Sequence, residues 1–393
     1  MITLSQEVSC LKRSVMRDLL SLATAPGILS LAGGLPATEM LPLDEYRRCL
    51  NYVLERDGAR LLQYNPQHPG LRAWIAAYMH RRGVDCEPEH IFITSGAQQG
   101  LAILSRLLLD PGDTAVIEAA TFTGIQQITA GRGAHVRTIP TDLATGADTD
   151  ALEVIFKTQR PRFAVIIPDF HNPLGVSLSL EKRRRIAALA TEYQIPVIED
   201  DPYSPLRFEG DPLPPIKAFD RDGFIFYVGS FSKMFAPSAR LGWIVAPPAL
   251  LPKITVVRES MDLESSILTQ TAVYEFLSNG LLEPHLERLN TENRRRRDTL
   301  MSALEMHFSG VASWTCPQGG LFVWMTLPDG VDTTAAFQDA IDRQVIYIPG
   351  AAFSIDGHFT NALRLNFSIL PPDLIYTAVE RLASVFNQEF VLS

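Results

Sequence analysis

The segment Tyr227 to Arg240, YVGSFSKMFAPSAR, gathers one lysine, one arginine and several hydroxyls within a single turn-rich stretch. It follows an apolar run, Phe224 to Val228, that reads as a buried strand. An amine just past a buried strand end is poorly solvated, so Lys233 sheds its charge readily and attacks carbonyl carbon. Ser230 and Ser232 add hydroxyl donors and Arg240 a fixed cation, a set suited to a phosphate dianion. The competing reading is a solvated lysine in a serine-rich turn, and Ser-x-Ser-Lys alone supports both.

Other strand ends carry polar signals too. Ile198 to Tyr203, IEDDPY, puts Asp200 on a hydrophobic run, where a carboxylate is costly without a cation or strong donor. A protonated pyridine nitrogen is such a partner, and with a reactive amine beside a phosphate cradle it meets the needs of pyridoxal 5′-phosphate (PLP). A carboxylate capping the next segment is the alternative. Thr94 to Gly100, TSGAQQG, joins a strand to a helix, and its small residues bare backbone N–H groups to an anion; a plain strand-to-helix turn reads the same way. Pro168 to Gly175, PDFHNPLG, places Asn172 before a proline, which holds it extended with its amide aimed at a cleft, or simply makes a turn.

The elements that would position these groups alternate along the chain. Apolar strands are predicted at Ile91–Thr94, Ala115–Glu118, Val136–Ile139, Phe163–Ile167, Val197–Glu199, Phe224–Val228 and Gly242–Ala246. Helices are predicted at Leu71–Arg82, Ala97–Leu109, Thr123–Arg132 and Leu180–Tyr193, with Gly83 stopping the first. Short apolar strands alternating with helices imply an α/β fold, a mostly parallel seven-stranded sheet sandwiched by helices. Ligands of such sheets bind outside the carboxyl ends of the strands, where the polar signals fall. An arm is predicted over residues 1–45, with an amphipathic segment Val8–Leu22 and a Gly- and Pro-rich stretch in which Gly33 and Gly34 allow close backbone approach. A large domain over 46–280 and a smaller α+β domain over 281–393 follow; the arm is expected to pack with the latter. A long helical region runs from Thr269 to about His307, then strands at Gly320–Thr326 and Ala362–Ser368 flank a helix at Thr333–Arg343.

Composition narrows the function classes. The 393 residues carry a net charge of −9 with a pI near 5.4, which argues against nucleic acid as a partner. The basic clusters Lys182–Arg185 and Arg294–Arg297 have acidic neighbours and read as solvated helix faces. Cys10, Cys49, Cys86 and Cys316 lack metal-ligand spacing, so no metal is expected, and free thiols fit a reducing, cytoplasmic setting. No apolar run approaches the roughly 18 residues of a membrane span, and the first residues do not read as a secretory signal.

Together and in this order the motifs resemble the fold-type I PLP-dependent enzymes, specifically the class I/II aminotransferases. The likeness runs from the Gly-Gly of the arm to LRLNFS (Leu363–Ser368), and is nearest the subgroup of α-aminoadipate and kynurenine aminotransferases. The aminotransferase-like domains fused to winged-helix regulators are also similar, but no DNA-binding domain is expected here. The resemblance implies that Lys233 forms a Schiff base with PLP and shuttles the proton, while Asp200 holds the pyridine nitrogen. It implies that Asn172 and Tyr203 bond the ring 3-oxygen, Tyr203 thereby joining the catalytic set. Ser230, Ser232, Arg240, Gln98 and the Ala97 N–H would hold the phosphate, and Phe122 would stack on the ring. Tyr64 would reach the cofactor of a second subunit, implying a homodimer. Arg364 would clamp the substrate α-carboxylate, with Asn172 and Gly34 beside it. The implied reaction moves an amino group from an L-amino acid to a 2-oxo acid, such as 2-oxoglutarate, by a ping-pong cycle.

Three departures from the family pattern stand out. Phe122 replaces a frequent tyrosine, Ala97 a frequent serine, and His171 a common glutamine. They leave open another PLP reaction (oxidation, decarboxylation or elimination) and, outside catalysis, a PLP-binding sensor. His171 either faces the cleft or packs.

Overall fold

The computed structural model describes Val8 and residues 27–390, with side chains followed to Phe386. The amphipathic segment expected at Val8–Leu22 therefore lies outside the described residues apart from Val8.

The central sheet has seven strands: β1 Ile91–Thr94, β2 Thr114–Glu118, β3 His135–Ile139, β4 Phe163–Ile166, β5 Val197–Asp201, β6 Ile225–Ser230 and β7 Gly242–Val245. Their spatial order is β1-β7-β6-β5-β4-β2-β3. Only β7 is antiparallel to its neighbours; β2 to β6 pair in parallel. All seven sequence-derived strands are present with ends shifted by a residue or two. The apolar runs are legible because both faces of the sheet are covered. Ile117, Val165, Ile198 and Phe226 enter one core, whereas Val116, Ala164, Val197 and Ile225 enter the other. This is the alternation that a pleated strand imposes.

Helices Ala97–Leu108, Thr123–Ala130 and Leu180–Tyr193 match expectation closely. Ser179 caps the last of these, its Oγ accepting from Lys182 N at 3.3 Å, and Gln194 ends it in the left-handed region. The helix expected at Leu71–Arg82 spans Pro69–Arg81, and Gly83 follows it with φ +86°. Three further helices, Leu43–Asp57, Thr149–Gln159 and Leu251–Glu259, were not anticipated.

Two expectations need correction. The helical region from Thr269 to His307 is two helices, Ile267–Ser278 and Leu282–Phe308, because Gly280 turns the chain with φ +67°. The basic clusters are helical but not uniformly solvated. Arg183, Arg296 and Arg297 are buried, the first held by both oxygens of Asp169 at 2.9 and 3.0 Å, the others by Glu39 at 2.8 Å and Glu209 at 2.6 Å. Guanidinium groups on long stems reach acids of packed neighbours, which charge patterning along one helix cannot reveal.

Beyond the central sheet, Phe322–Thr326, Ala362–Asn366, Ser313–Trp314 and Ile348–Pro349 form an antiparallel four-stranded sheet. It packs on Leu282–Phe308 and the helix starting at Pro372 through Leu300, Leu304, Leu365 and Val379. The strand expected at Gly320–Thr326 thus begins two residues later, at Phe322, and that at Ala362–Ser368 ends at Asn366. The helix expected at Thr333–Arg343 is shorter, Phe337–Asp342. The segment Leu29–Ser30 pairs in parallel with Val345–Ile346, so the arm is stitched to this second core. Cys49, Cys86 and Cys316 are free thiols.

Candidate active site

Groups from five distant segments meet where the central sheet faces the second core. Lys233 follows β6 in a turn that is mostly inaccessible to solvent, and its Nζ donates to Gly34 O of the arm at 2.6 Å. Burial, then the nearby Arg364 and Arg240 charges, push its amine down to about 8. The uncharged amine that a nucleophile requires is consequently far more populated near neutral pH than for an ordinary lysine, though still the minority form.

Asp200 lies on β5, in register with Val228 of β6, and its Oδ1 is buried without a hydrogen-bond partner among the described residues. Burial, then the charge of Asp201, raise its carboxyl to about 7. Asn172, joined to Pro173 by a cis peptide, ends the segment after β4. Its Oδ1 accepts from Arg364 Nη1 at 2.8 Å and its Nδ2 donates to Tyr203 Oη at 3.4 Å. Burial raises the Tyr203 phenol well above its usual range, so it stays protonated and able to donate. Arg364 is fully buried on Ala362–Asn366, its guanidinium 4.2 Å from the Phe322 ring centre and 4.9 Å from that of Phe353. Arg364 Nη2 donates to Ala32 O at 2.5 Å. The ring faces fix the plane of the fork in which a carboxylate would be read.

On the opposite flank, helix Ala97–Leu108 points its N-terminus at Arg240. Arg240 is itself in the left-handed region with φ +49°, a conformation that costs an ordinary residue roughly 1 kcal/mol and is held by its surroundings. Its Nη2 donates to Ser95 O at 3.0 Å. A Cβ on Gly96 would stand 2.5 Å from Arg240 Nη2, and one on Gly242 only 2.8 Å from Ala97 N. Both glycines therefore keep the cradle open. Gln98 Nε2 donates to Gly124 O at 3.2 Å, and a Cβ on Gly124 would strike both Gln98 and Phe122, so these residues are packed together. Ser230 is buried and its Oγ accepts from Ser232 N at 3.1 Å. Tyr64 stands apart, 83% exposed in the single chain.

His171 turns away from the cleft: it is buried, with Nε2 3.0 Å from Glu118 Oε2. Sequence reading missed the rings that hold Arg364, the role of Gly242, and the Asp201 contacts; each depends on segments far apart in the chain. Only Gly242, two residues after an arginine and opening a strand, left any local trace.

An orphaned carboxylate oxygen, a buried amine of lowered proton affinity and a glycine-lined helix N-terminus beside an arginine fit PLP in polarity and charge. Comparison with known proteins agrees. The sequence matches the family described as aminotransferase class I and II over residues 28–382. It is 36% identical to a 2-aminoadipate transaminase of Thermus thermophilus, over 95% of this chain and 93% of that one. It is 35% identical to aromatic-amino-acid aminotransferase 1 of Thermococcus litoralis, over 98% and 94% of the two chains. The solved structure of LysN, the Thermus thermophilus α-aminoadipate aminotransferase complexed with N-(5′-phosphopyridoxyl)-L-leucine, superposes with a TM-score of 0.92 at 33% identity, covering 99% of this chain and 98% of that one.

Proposed function

We propose, from the premise that the chain belongs to the class I and II aminotransferases and is a PLP-dependent transaminase, that it moves the amino group of an L-amino acid to 2-oxoglutarate in a ping-pong exchange. The observation that carries this reading is the convergence of Lys233, Asp200 and the Arg364–Asn172 pair at one site. When bound, PLP supplies a carbonyl carbon that takes up the amino group and a ring that draws bonding electrons away from the substrate Cα.

The residues divide the remaining work. Arg364 receives the α-carboxylate in its fork, which fixes the Cα–H direction. Lys233 Nζ would hold the cofactor and, when its amine is free, would serve as the base that moves the substrate Cα proton. Its lowered proton affinity suits a base near neutral pH. Asp200, as the carboxylate, would hold the protonated ring nitrogen, a cation of the kind that its buried, partnerless Oδ1 calls for. Asn172 and Tyr203 donate to the ring 3-oxygen. Ser230, Ser232, Arg240, Gln98 and the Ala97 N–H hold the phosphate, and Phe122 covers a ring face. Gly34 O, which Lys233 contacts, lines the substrate side with Asn172.

Release of the first 2-oxo acid leaves the amino group on the enzyme, and the second oxo acid removes it. The active unit is a homodimer in which the exposed Tyr64 reaches the cofactor of the partner subunit. The small domain (281–393), which carries Arg364, closes on the large domain (46–280) as Arg364 engages substrate.

Replacing Lys233 with alanine tests the reading. Turnover falls to background while PLP still binds; substantial transamination by the variant would overturn the assignment.

A further inference from the structure

We propose that Arg82, acting through Asp201, is a positioning residue that holds Asp200 and the Tyr203 turn in place. Strand β5 ends in three consecutive buried acids, Glu199, Asp200 and Asp201. Pleating sends Asp200 to one face of the sheet and its two neighbours to the other. On that other face Arg82, one residue past helix Pro69–Arg81, reaches in from the edge of the domain. Its Nη2 donates to Asp201 Oδ2 at 2.8 Å and its Nη1 to Tyr227 Oη at 2.6 Å, while Tyr227 Oη donates to the same Oδ2 at 2.9 Å. The rings of Tyr78 and Tyr227 lie 5.7 and 5.6 Å from the guanidinium carbon. The Asp201 side chain has no exposed surface.

Two consequences follow for the catalytic face. Asp201 Oδ1 accepts from Ser204 N at 3.0 Å, so Tyr203 sits between two anchored residues. Loosening Asp201 would release the turn that aims the Tyr203 phenol. The second consequence is electrostatic. Asp201 faces Arg82, Tyr227 and Tyr78, with Glu199 on its own face of the strand; Asp200, on the opposite face, feels the Asp201 charge one peptide away and lies near Tyr203 at the strand end. Burial pushes Asp201 up, but the Arg82 charge and hydrogen bonds outweigh it and hold the carboxyl below its usual range. With Arg82 present Asp201 keeps its charge paired. Without it, adjacent buried carboxylates compete for one proton, and Asp200, which lacks the Tyr227 and Ser204 donors, is the one that keeps it.

The proposal rests on Asp200 serving the ring nitrogen, so the test has one arm that needs no cofactor. The Asp200 carboxyl is titrated by 13C NMR in cofactor-free wild type, Arg82→Gln, Arg82→Lys and Asp201→Asn proteins, and the PLP dissociation constant of each is measured at pH 7.5. Arg82→Gln should move the Asp200 titration up by about one pH unit and weaken PLP about tenfold. Arg82→Lys, which keeps the charge, should restore most of both. Asp201→Asn should move Asp200 the opposite way, downward, giving a second reading should the glutamine variant fold poorly. Opposite shifts support the proposal; an Asp200 titration unmoved in folded Arg82→Gln, or unmoved in Asp201→Asn, overturns it. If the titrations move as expected but Asp200→Asn binds PLP as tightly as wild type, the assignment of Asp200 to the ring nitrogen fails and the coupling from Arg82 stands.

Discussion

Replacing Arg364 with leucine should cost transamination of amino acids far more than reaction with amines that lack a carboxylate. The guanidinium is wholly buried, flanked by the Phe322 and Phe353 rings, and burial lowers its proton affinity to about 9, so it gains from an anionic partner. A bidentate carboxylate adds two charge-assisted hydrogen bonds of about 1.5–3 kcal/mol each, or ~3–6 kcal/mol together. Part of that is offset because Arg364 already donates to Asn172 Oδ1 and Ala32 O, contacts that must shift or be shared. The lower half of the range is therefore appropriate, a loss of about 10²- to 10³-fold in kcat/KM. Arg364→Lys keeps a cation but loses the planar fork and should recover about tenfold of this. The assay is a stopped-flow half-reaction with one amino acid and with its decarboxylated amine. Loss confined to the amino acid supports the assignment. Equal loss for both substrates would refute it and leave Arg364 as a prop for Asn172.

Other outcomes follow from the same geometry. The folded-state carboxyl of Asp200 titrates near 7 against an ordinary value of 3.8, so its neutral form is favoured by folding. That contribution is complete below about pH 4 and lost as pH rises through 7. Cofactor-free Asp200→Asn should therefore match wild type near pH 4 and melt higher at pH 8, by up to ~4 kcal/mol in stability; equal melting curves across this range would count against it. Gly242→Ala forces a Cβ within 2.7 Å of Gly229 O and 2.8 Å of Ala97 N. Such overpacking costs roughly 1–3 kcal/mol, so PLP affinity should drop about tenfold or more while the sheet persists by circular dichroism. Unchanged affinity would remove the Ala97 N–H from the cradle.

Much of the scaffold was legible because its signals are local. Strands such as Phe163–Ile166 are apolar throughout since helices cover both faces, and Ser179 announces the helix it caps. The convergence of Lys233, Asp200 and Asn172 was legible for a related reason: each follows a buried strand of one sheet, and the carboxyl ends of such strands lie together. What sequence could not supply was distance. The Asn172–Arg364 bond spans 192 residues and the Lys233–Gly34 bond 199, and neither partner's composition specifies the other. His171 illustrates the ambiguity well; beside Asn172 it reads equally as cleft or core, and only Glu118 on a neighbouring strand decides for the core. Arg183, Arg296 and Arg297 misled for the same reason, since each also reaches an acid on another element, Asp169, Glu39 and Glu209 in turn. Helix Thr149–Gln159 had a readable cap in Asp148, whose Oδ1 accepts from Asp150 N and Ala151 N at 3.0 Å, and a readable apolar stripe in Ala151, Leu152, Ile155 and Phe156, so its omission was not for want of a local signal.

The central claim is that Lys233 carries PLP through a reversible exchange of amino groups, and the absorption spectrum of the purified protein tests it directly. A visible cofactor band that bleaches on adding an amino acid without an acceptor and returns with 2-oxoglutarate, a cycle that the Lys233→Ala protein does not perform, is the result predicted. A band that bleaches only as oxygen is consumed, or fails to return with any oxo acid, would contradict transamination; no band after adding PLP would contradict the assignment of Lys233 itself.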